Sequence, residues 1–435
     1  MKHQLGFWDS VAINVGVVIG VGIFRTPGTV AQYVDSPGLI LSTWFLGALV
    51  ALVGVLCYAE LSSCLPETGG TYVYLREAFG KPAGFLFGWA EFSIMRAGSI
   101  AGVAYIFTSY LQHFVPFGAG QEKIVTVLVI AFFTFINIAG LHIGAGVQNV
   151  LTFLKIVSLL AMAWLIFRFR GLPPVNLSHF SLPARGQVLG MAPALIPVLW
   201  TYGGWHQSTF MSGEFRDTKK DLPLSLVAGV LIVAAVYLLI NTAYLRVFSP
   251  AQMAGTKAIA SEIFMQLFGV PGMLLVTAAV LVSAGGALNS TILTGARIPF
   301  AVARDYPRFS WFAKIDPRFG TPLRSFLLNG LWASVLVLWG NFDQLLFFFA
   351  FANWLFFTLA GISVFILRKR LRPAEAFAMV GYPWVPILFV LSSLVLCAIT
   401  IQNAPRESLF GALLLLTGLP LYFLISTPTP PSPSK

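Results

Sequence analysis

At 435 residues, with 57% hydrophobic and only 10% charged side chains, the chain is too apolar for an ordinary soluble enzyme and falls among polytopic membrane proteins. Its net charge of +11 does not call for nucleic acid, because the cations gather in loops of one side and form no basic domain. The three cysteines, Cys57, Cys64 and Cys397, fall within or at the inner end of apolar runs, so neither a metal cluster nor a disulfide framework is expected.

Long apolar runs begin near Trp8, Gly38, Gly84, Ile124, Ala145, Val188, Leu222, Gly272, Pro322, Leu345, Tyr382 and Leu409, and each is read as a span. The first lacks a small-residue cleavage site and is read as a permanent span, not a signal peptide. A cytoplasmic N-terminus places Lys2, Arg76, Lys81, Arg216, Lys219, Lys220, Arg304, Arg308, Lys314, Arg318, Arg324, Arg368, Lys369, Arg370 and Arg372 inside. Fewer cations fall outside: Lys123, Arg168, Arg170, Arg185, Arg246, Lys257 and Arg406. This asymmetry obeys the positive-inside rule, and an even number of spans leaves both termini cytoplasmic.

Span 1 carries Val-Gly-Val-Val-Ile-Gly-Val-Gly-Ile-Phe at residues 15–24. Its glycines have two readings. Gly16 and Gly20 have the small-xxx-small spacing of a close-packed helix seam. Alternatively Gly16, Gly20 and Gly22 mark a break, where glycine weakens a helix and peptide groups are left needing partners inside the membrane. An amino acid, carrying both an ammonium and a carboxylate, supplies both kinds of partner. Span 2 ends at Pro66 and the Gly69-Gly70 pair, and an amphipathic inner stretch follows. Span 3 carries Glu91 and Arg96; five residues of α-helix rotate by about 140° net, so the two are expected on different faces, each with a partner on another helix or with Arg96 lining an aqueous cavity, and a structural role is favoured for both.

Span 5 carries Lys155, about ten residues or about 15 Å from its inner end, where a lysine is costly enough to imply a function. The Gly20 break lies at similar depth, and Glu91 is the one acid at that depth in any predicted span, so carbonyls and hydroxyls are expected to hold the ammonium. Span 6 is interrupted in turn at Gly203 and Gly204. A matching pair of glycine-broken spans in two halves points to a binding site between inverted repeats. Spans 1–5 (1–171) and 6–10 (172–372) are then the repeats. Spans 11 and 12 (373–427) are appended, and a Pro/Ser tail (428–435) is expected to be disordered. In span 8, Ser283 comes at middle depth within a small-residue stretch.

Several of these stretches resemble a known family: Gly20-Val-Gly-Ile-Phe, Tyr58-Ala-Glu-Leu with Gly69-Gly-Thr-Tyr, Leu154-Lys-Ile-Val, Tyr202-Gly-Gly-Trp, Asn241-Thr-Ala-Tyr-Leu and residues 297–305. Together they are similar to the amino acid–polyamine–organocation superfamily, in its L-amino acid transporter branch and bacterial relatives. The resemblance implies an all-α membrane protein of LeuT-type fold, with a 5+5 inverted repeat, two C-terminal helices and twelve transmembrane helices in all. It implies a substrate site at Val18, Ile19, Gly20, Val21, Gly22, Trp200, Thr201, Gly203 and His206. The carboxylate would sit on amides of Gly20, Val21 and Gly22, and the ammonium on carbonyls of Val18, Trp200 and Gly203. Trp200 matches an aromatic gate. Lys155 resembles the family's replacement for a sodium site, joining Gly16 to Ser283 with Tyr244 cooperating.

A tethered charge cannot dissociate, so the expected activity is sodium-independent exchange of neutral L-amino acids in a bacterial inner membrane, not catalysis. The absence of a second acid at middle depth argues against cationic substrates, and Val21, Trp200 and His206 suggest small or medium side chains. The expected partners are an amino acid and the bilayer, with no nucleic acid, no cofactor and no metal. The loop over residues 112–123 lacks the cysteine by which animal members bond a heavy chain, so a lone, monomeric subunit is expected. His206 stands where a polar amide is usual, which leaves a proton-coupled symporter, through His206 or Glu91, as the alternative. Arg25, just past the break, either draws anions inward or snorkels to the interface.

Overall fold

The first apolar run is not one helix. In a computed structural model that describes residues 4–118, 120–171, 185–256, 258–339, 342–371, 377–403 and 405–426, α1 (Phe7–Val18) stops at Ile19. A 3-10 turn follows at Gly22–Phe24, and α2 (Thr26–Ala31) resumes with Pro27 in its first turn. Lys2, Lys257, Arg372, the Arg185 side chain and the tail at 428–435 lie outside the described residues. Asp9 starts α1 by accepting the Gly6 N–H at 3.0 Å.

The next helix, α3 (Pro37–Cys64), begins on Ser36, whose hydroxyl accepts the Leu39 N–H, and ends short of Pro66. α4 (Thr71–Phe79) starts after Gly69 and Gly70, both at positive φ. α5 (Lys81–Ala90) and α6 (Ala97–Leu111) form one span, joined through a π-helical stretch at Glu91–Arg96. α7 (Glu122–Ile138) and α8 (Leu141–Arg168) complete the first half. In the second half, α9 (Arg185–Thr201) breaks into a 3-10 segment at Gln207–Glu214, followed by α10 (Asp221–Val247), α11 (Pro250–Ala254) and α12 (Ile259–Gly295). α12 is kinked where Gly269 takes a φ of 67° ahead of Pro271. α13 (Arg297–Asp305), α14 (Leu323–Trp339), α15 (Phe342–Arg370), α16 (Trp384–Asn403), α17 (Pro405–Leu416) and α18 (Gly418–Ser426) follow.

Among the described residues the chain is helical throughout, with an isolated β-bridge between Leu5 and Phe215. Seven helices are long and apolar enough to cross a membrane, and three shorter apolar ones accompany them, at Phe7–Val18, Gly190–Thr201 and Leu323–Leu338. Two of those three are the first halves of the broken spans.

The π turn corrects the expectation for Glu91 and Arg96. Such a turn closes its hydrogen bonds five residues apart, so residues i and i+5 stack on one face. Arg96 Nη2 accordingly donates to Glu91 Oε1 at 3.2 Å, with both side chains buried.

α1 runs along α8 as a ladder of polar contacts. Asn149 Nδ2 donates to Asp9 Oδ1 at 2.8 Å, and Thr152 Oγ1 to the Ala12 carbonyl at 2.9 Å. A Cβ at Gly16 would fall 1.8 Å from Gln148 Nε2, so the close-packed reading holds at this glycine, whereas the break itself falls at residues 19–22. The basic end of the bundle is tied shut. The Leu5 N–H donates to the Glu214 carbonyl at 3.0 Å, the Arg216 N–H to the Leu5 carbonyl at 2.9 Å, and Arg297 pairs with Glu214 at 2.7 and 2.8 Å. Both members of that pair are about 1% exposed.

Gly16→Val should overpack the α1–α8 seam by about 1–3 kcal/mol, read as a lower unfolding temperature of the purified protein in detergent. An unchanged unfolding temperature would contradict the seam.

Candidate functional site

Both interruptions leave peptide groups without helical partners, and the structure shows where each goes. At the first, the Ile19 N–H still reaches the Val15 carbonyl at 2.8 Å, and the Gly20 N–H curls back onto the Val18 carbonyl at 2.8 Å. The Phe24 N–H reaches the Val21 carbonyl at 3.2 Å. The N–H groups of Val21, Gly22 and Ile23 find no acceptor among the described residues. Three adjacent amides at the start of a helical turn can receive an anion.

The carbonyls of the same break are covered by a cation. Lys155 is fully buried, and its Nζ donates to the Gly16 carbonyl at 2.8 Å, the Ile19 carbonyl at 2.7 Å and the Ser283 carbonyl at 3.2 Å. Three donors thus meet three acceptors, and none of the three is a carboxylate. Ser283 Oγ lies 2.9 Å from the Gly20 carbonyl and 3.2 Å from that of Ile19, which ties α12 to the same turn. Gly286 makes room for the ammonium: a Cβ there would fall 2.8 Å from Lys155 Nζ.

At the second break, Pro193 and Pro197 have already weakened α9, and the Gly203 N–H turns onto the Trp200 carbonyl at 3.0 Å. Gly204 takes a φ of 102°, and a Cβ on it would fall 2.3 Å from Val17 Cγ1, so glycine alone lets the two breaks touch. Thr201 and Thr26 share a buried hydroxyl contact at 2.7 Å. Gly22 also packs on Thr201, where its Cβ would fall 2.7 Å from Cγ2.

Tyr237 of α10, which the sequence reading passed over, joins the two breaks. Its hydroxyl lies 2.7 Å from the Val18 carbonyl and 3.1 Å from the Thr201 carbonyl. One hydroxyl owns one hydrogen, so it serves the closer Val18 and leaves Thr201 underprovided. With the Gly20 N–H and Tyr237 both on it, the Val18 carbonyl is full, which corrects its expected role as an ammonium acceptor. Acceptors left open at the breaks, among the described residues, include the Thr201 and Gly203 carbonyls and the second lone pair of the Trp200 carbonyl. Tyr237 had a legible mark, a phenol in mid-span where a buried polar group needs a reason.

The structure therefore brings together Gly16, Ile19, Gly20, Lys155 and Ser283, and sets Val18, Gly22, Thr201 and Gly203 beside them. It does not bring Tyr244 to Lys155. The Tyr244 hydroxyl is buried with no partner among the described residues, and Tyr237, two helical turns earlier on α10, meets the break instead. His206 is packed into an aromatic cage, with ring centroids 4.9 Å from Phe357, 5.3 Å from Trp205, 5.4 Å from Phe210 and 5.5 Å from Tyr58. Trp200 is 40% exposed.

Comparison with known proteins identifies the family. A family profile described as amino acid permease matches residues 5–423. The serine/threonine exchanger SteT of Bacillus subtilis (strain 168) is 30% identical over 97% of this chain and 97% of its own length. The b(0,+)-type amino acid transporter 1 of Mus musculus is 30% identical over 98% of this chain and 88% of its own. The Asc-type amino acid transporter 1 of Mus musculus is 28% identical over 98% and 81%. These are transporters, not enzymes. A polytopic helical chain with two broken spans and a match over nearly its whole length belongs to the amino acid permease family, within the amino acid–polyamine–organocation superfamily and related to its L-amino acid transporters.

Proposed function

We propose that this protein is a sodium-independent exchanger of neutral L-amino acids, working by alternating access in a bacterial inner membrane. The observation that carries the reading is the Lys155 ammonium on the carbonyls of Gly16, Ile19 and Ser283. Carbonyl oxygens around a positive charge are what a bound monovalent metal ion would require. Here the charge is covalently fixed and cannot leave with the substrate, so no cation gradient can drive net uptake through it. The relative named as an exchanger supports the same mode.

The substrate carboxylate binds the free N–H groups of Val21 and Gly22, with the Gly20 amide turned back onto Val18. The ammonium takes the carbonyls of Thr201, Trp200 and Gly203. Val21, Trp200 and His206 bound the side-chain space, and Trp200 closes over it. The framework is a LeuT-type fold of twelve spans, with inverted repeats at 1–171 and 172–372 and two appended helices at 373–427. Both termini are cytoplasmic, in keeping with the basic loops, and the subunit works alone because its 112–123 loop offers no cysteine to a heavy chain. Proton coupling through His206 finds little support: the ring sits among aromatics, and Nδ1 has no hydrogen-bond partner among the described residues.

Proteoliposomes loaded with a neutral amino acid should take up labelled amino acid rapidly, and empty ones should not, whatever the sodium gradient. Uptake into empty vesicles that follows sodium would reject exchange, and uptake driven by a pH gradient alone would favour the symporter. Lys155→Ala strips a donor from each of three buried carbonyls and should lower exchange at least about a hundredfold while the protein still reaches the membrane. Tyr237→Phe removes the one hydrogen shared by Val18 and Thr201, and should change the half-saturating concentration about three- to tenfold.

A further inference from the structure

Each broken helix faces a buried cation. Lys155 covers the first, and Arg96, on the π turn between α5 and α6, faces the second. Arg96 Nη1 donates to Gln207 Oε1 at 2.7 Å, Nη2 to Glu91 Oε1 at 3.2 Å, and the guanidinium carbon lies 5.2 Å from the centre of the Phe210 ring. Gln207 and Phe210 belong to the second half of the broken span, Gln207–Glu214. Thr294 Oγ1 of α12 lies 3.0 Å from Gln207 Oε1 and 2.8 Å from the Ser290 carbonyl, so its one hydrogen serves its own helix first and Arg96 is the firm partner of Gln207. Gly295 lets the arginine stem lie against α12, since a Cβ there would fall 2.5 Å from Arg96 Cδ.

Segment 207–214 is thus held at both ends, at Gln207 by Arg96 of the π turn with Thr294 of α12 alongside, and at Glu214 by Arg297 of α13. The two clamps differ in strength. The Glu214 clamp is a two-pronged ion pair, whereas the Gln207 clamp sets a neutral amide against a cation. The full negative charge that neutralises Arg96 sits on its own span, at Glu91, and ties nothing across the interface. That arrangement keeps a buried guanidinium neutralised in the membrane while leaving its cross-helix grip soft.

The same clamp stands between the chamber and the basic end. Along α12, Ser283 touches the first break, Ala287 lies 3.7 Å from where a Gly20 Cβ would be, and Thr294 meets Gln207. Arg297 follows at the closed end. The spacing 283, 287 and 294 keeps these residues on one face of α12, and Arg297 opens α13 just beyond it. A substrate moving from the breaks towards the basic end therefore meets the Arg96–Gln207–Thr294 contact before the Glu214–Arg297 pair.

We propose that Arg96 is a positioning residue for transport: it grips and releases Gln207, and so sets how readily segment 207–214 parts from the π turn, and from the α12 face on which the arginine stem lies, to open the chamber towards the basic end. The proposal rests on the exchanger reading above, and acts through Gln207 without touching substrate.

The test moves the charge and keeps the composition. In Glu91→Gln/Gln207→Glu the three residues remain one arginine, one carboxylate and one amide, but the ionic partner now lies across the interface. The maximal exchange rate in proteoliposomes should fall about tenfold, with the half-saturating concentration within about twofold and the unfolding temperature no lower. A second readout does not need exchange. With Cys57, Cys64 and Cys397 replaced by alanine, Ser212→Cys, on the moving segment, is labelled by a membrane-impermeant thiol reagent. Labelling should slow about tenfold in the swapped protein and speed up several-fold in Gln207→Met. Unchanged rate and labelling in a folded swap would overturn the proposal. Should the swap fail to fold, Gln207→Met alone decides, with faster labelling in support and equal labelling against. No exchange by the unmodified protein would reject the exchanger reading, while the labelling series would still judge the grip.

Discussion

A peptide group stripped of its helical partner costs several kcal/mol in hydrocarbon, and this molecule leaves such groups at two places in its middle. The interior is arranged around that cost. Lys155 and Ser283 cover the carbonyls of the first break, Tyr237 spans the carbonyls of both, and the threonine pair Thr26–Thr201 fills the space between. The amides of Val21, Gly22 and Ile23 are left uncovered, together with open acceptors at Thr201 and Gly203. Donors spared on one side and acceptors on the other are what the zwitterion of the proposed function requires.

The breaks and the lysine were legible in the sequence because their chemistry is local. Glycines in mid-span and an ammonium far from either interface are costly wherever they fall, so Gly20, Gly203 and Lys155 could be read singly. Gly16 was legible only as an ambiguity, and its contact with Gln148 of α8 decides for packing. The α12 kink was not anticipated: the eighth apolar run was read as beginning near Gly272, and the bend at Gly269 ahead of Pro271 went unremarked.

What stayed hidden depends on backbone register. Nothing in Glu-Phe-Ser-Ile-Met-Arg distinguishes a π turn from an α turn, and one extra residue per turn is enough to carry Arg96 from the far face onto Glu91. The two tyrosines of α10 pose a similar problem. Tyr237 and Tyr244 are seven residues apart, on nearly the same face, and chemically identical. Only the depth at which α10 meets the break assigns the role to the first. The aromatic cage of His206, drawn from three helices and its own loop, is likewise a product of assembly and not of local spacing.

The single hydrogen on Tyr237 carries a last consequence. Two carbonyls from separate halves of the molecule compete for it, and the nearer wins by 0.4 Å, at 2.7 against 3.1 Å. A ligand that brings its own protons to Thr201 ends that rivalry and lets the phenol commit wholly to Val18. Under the proposed function, loading the chamber thereby changes how α10 is bonded to α1 and α9, and the tyrosine becomes an internal register of whether cargo is aboard.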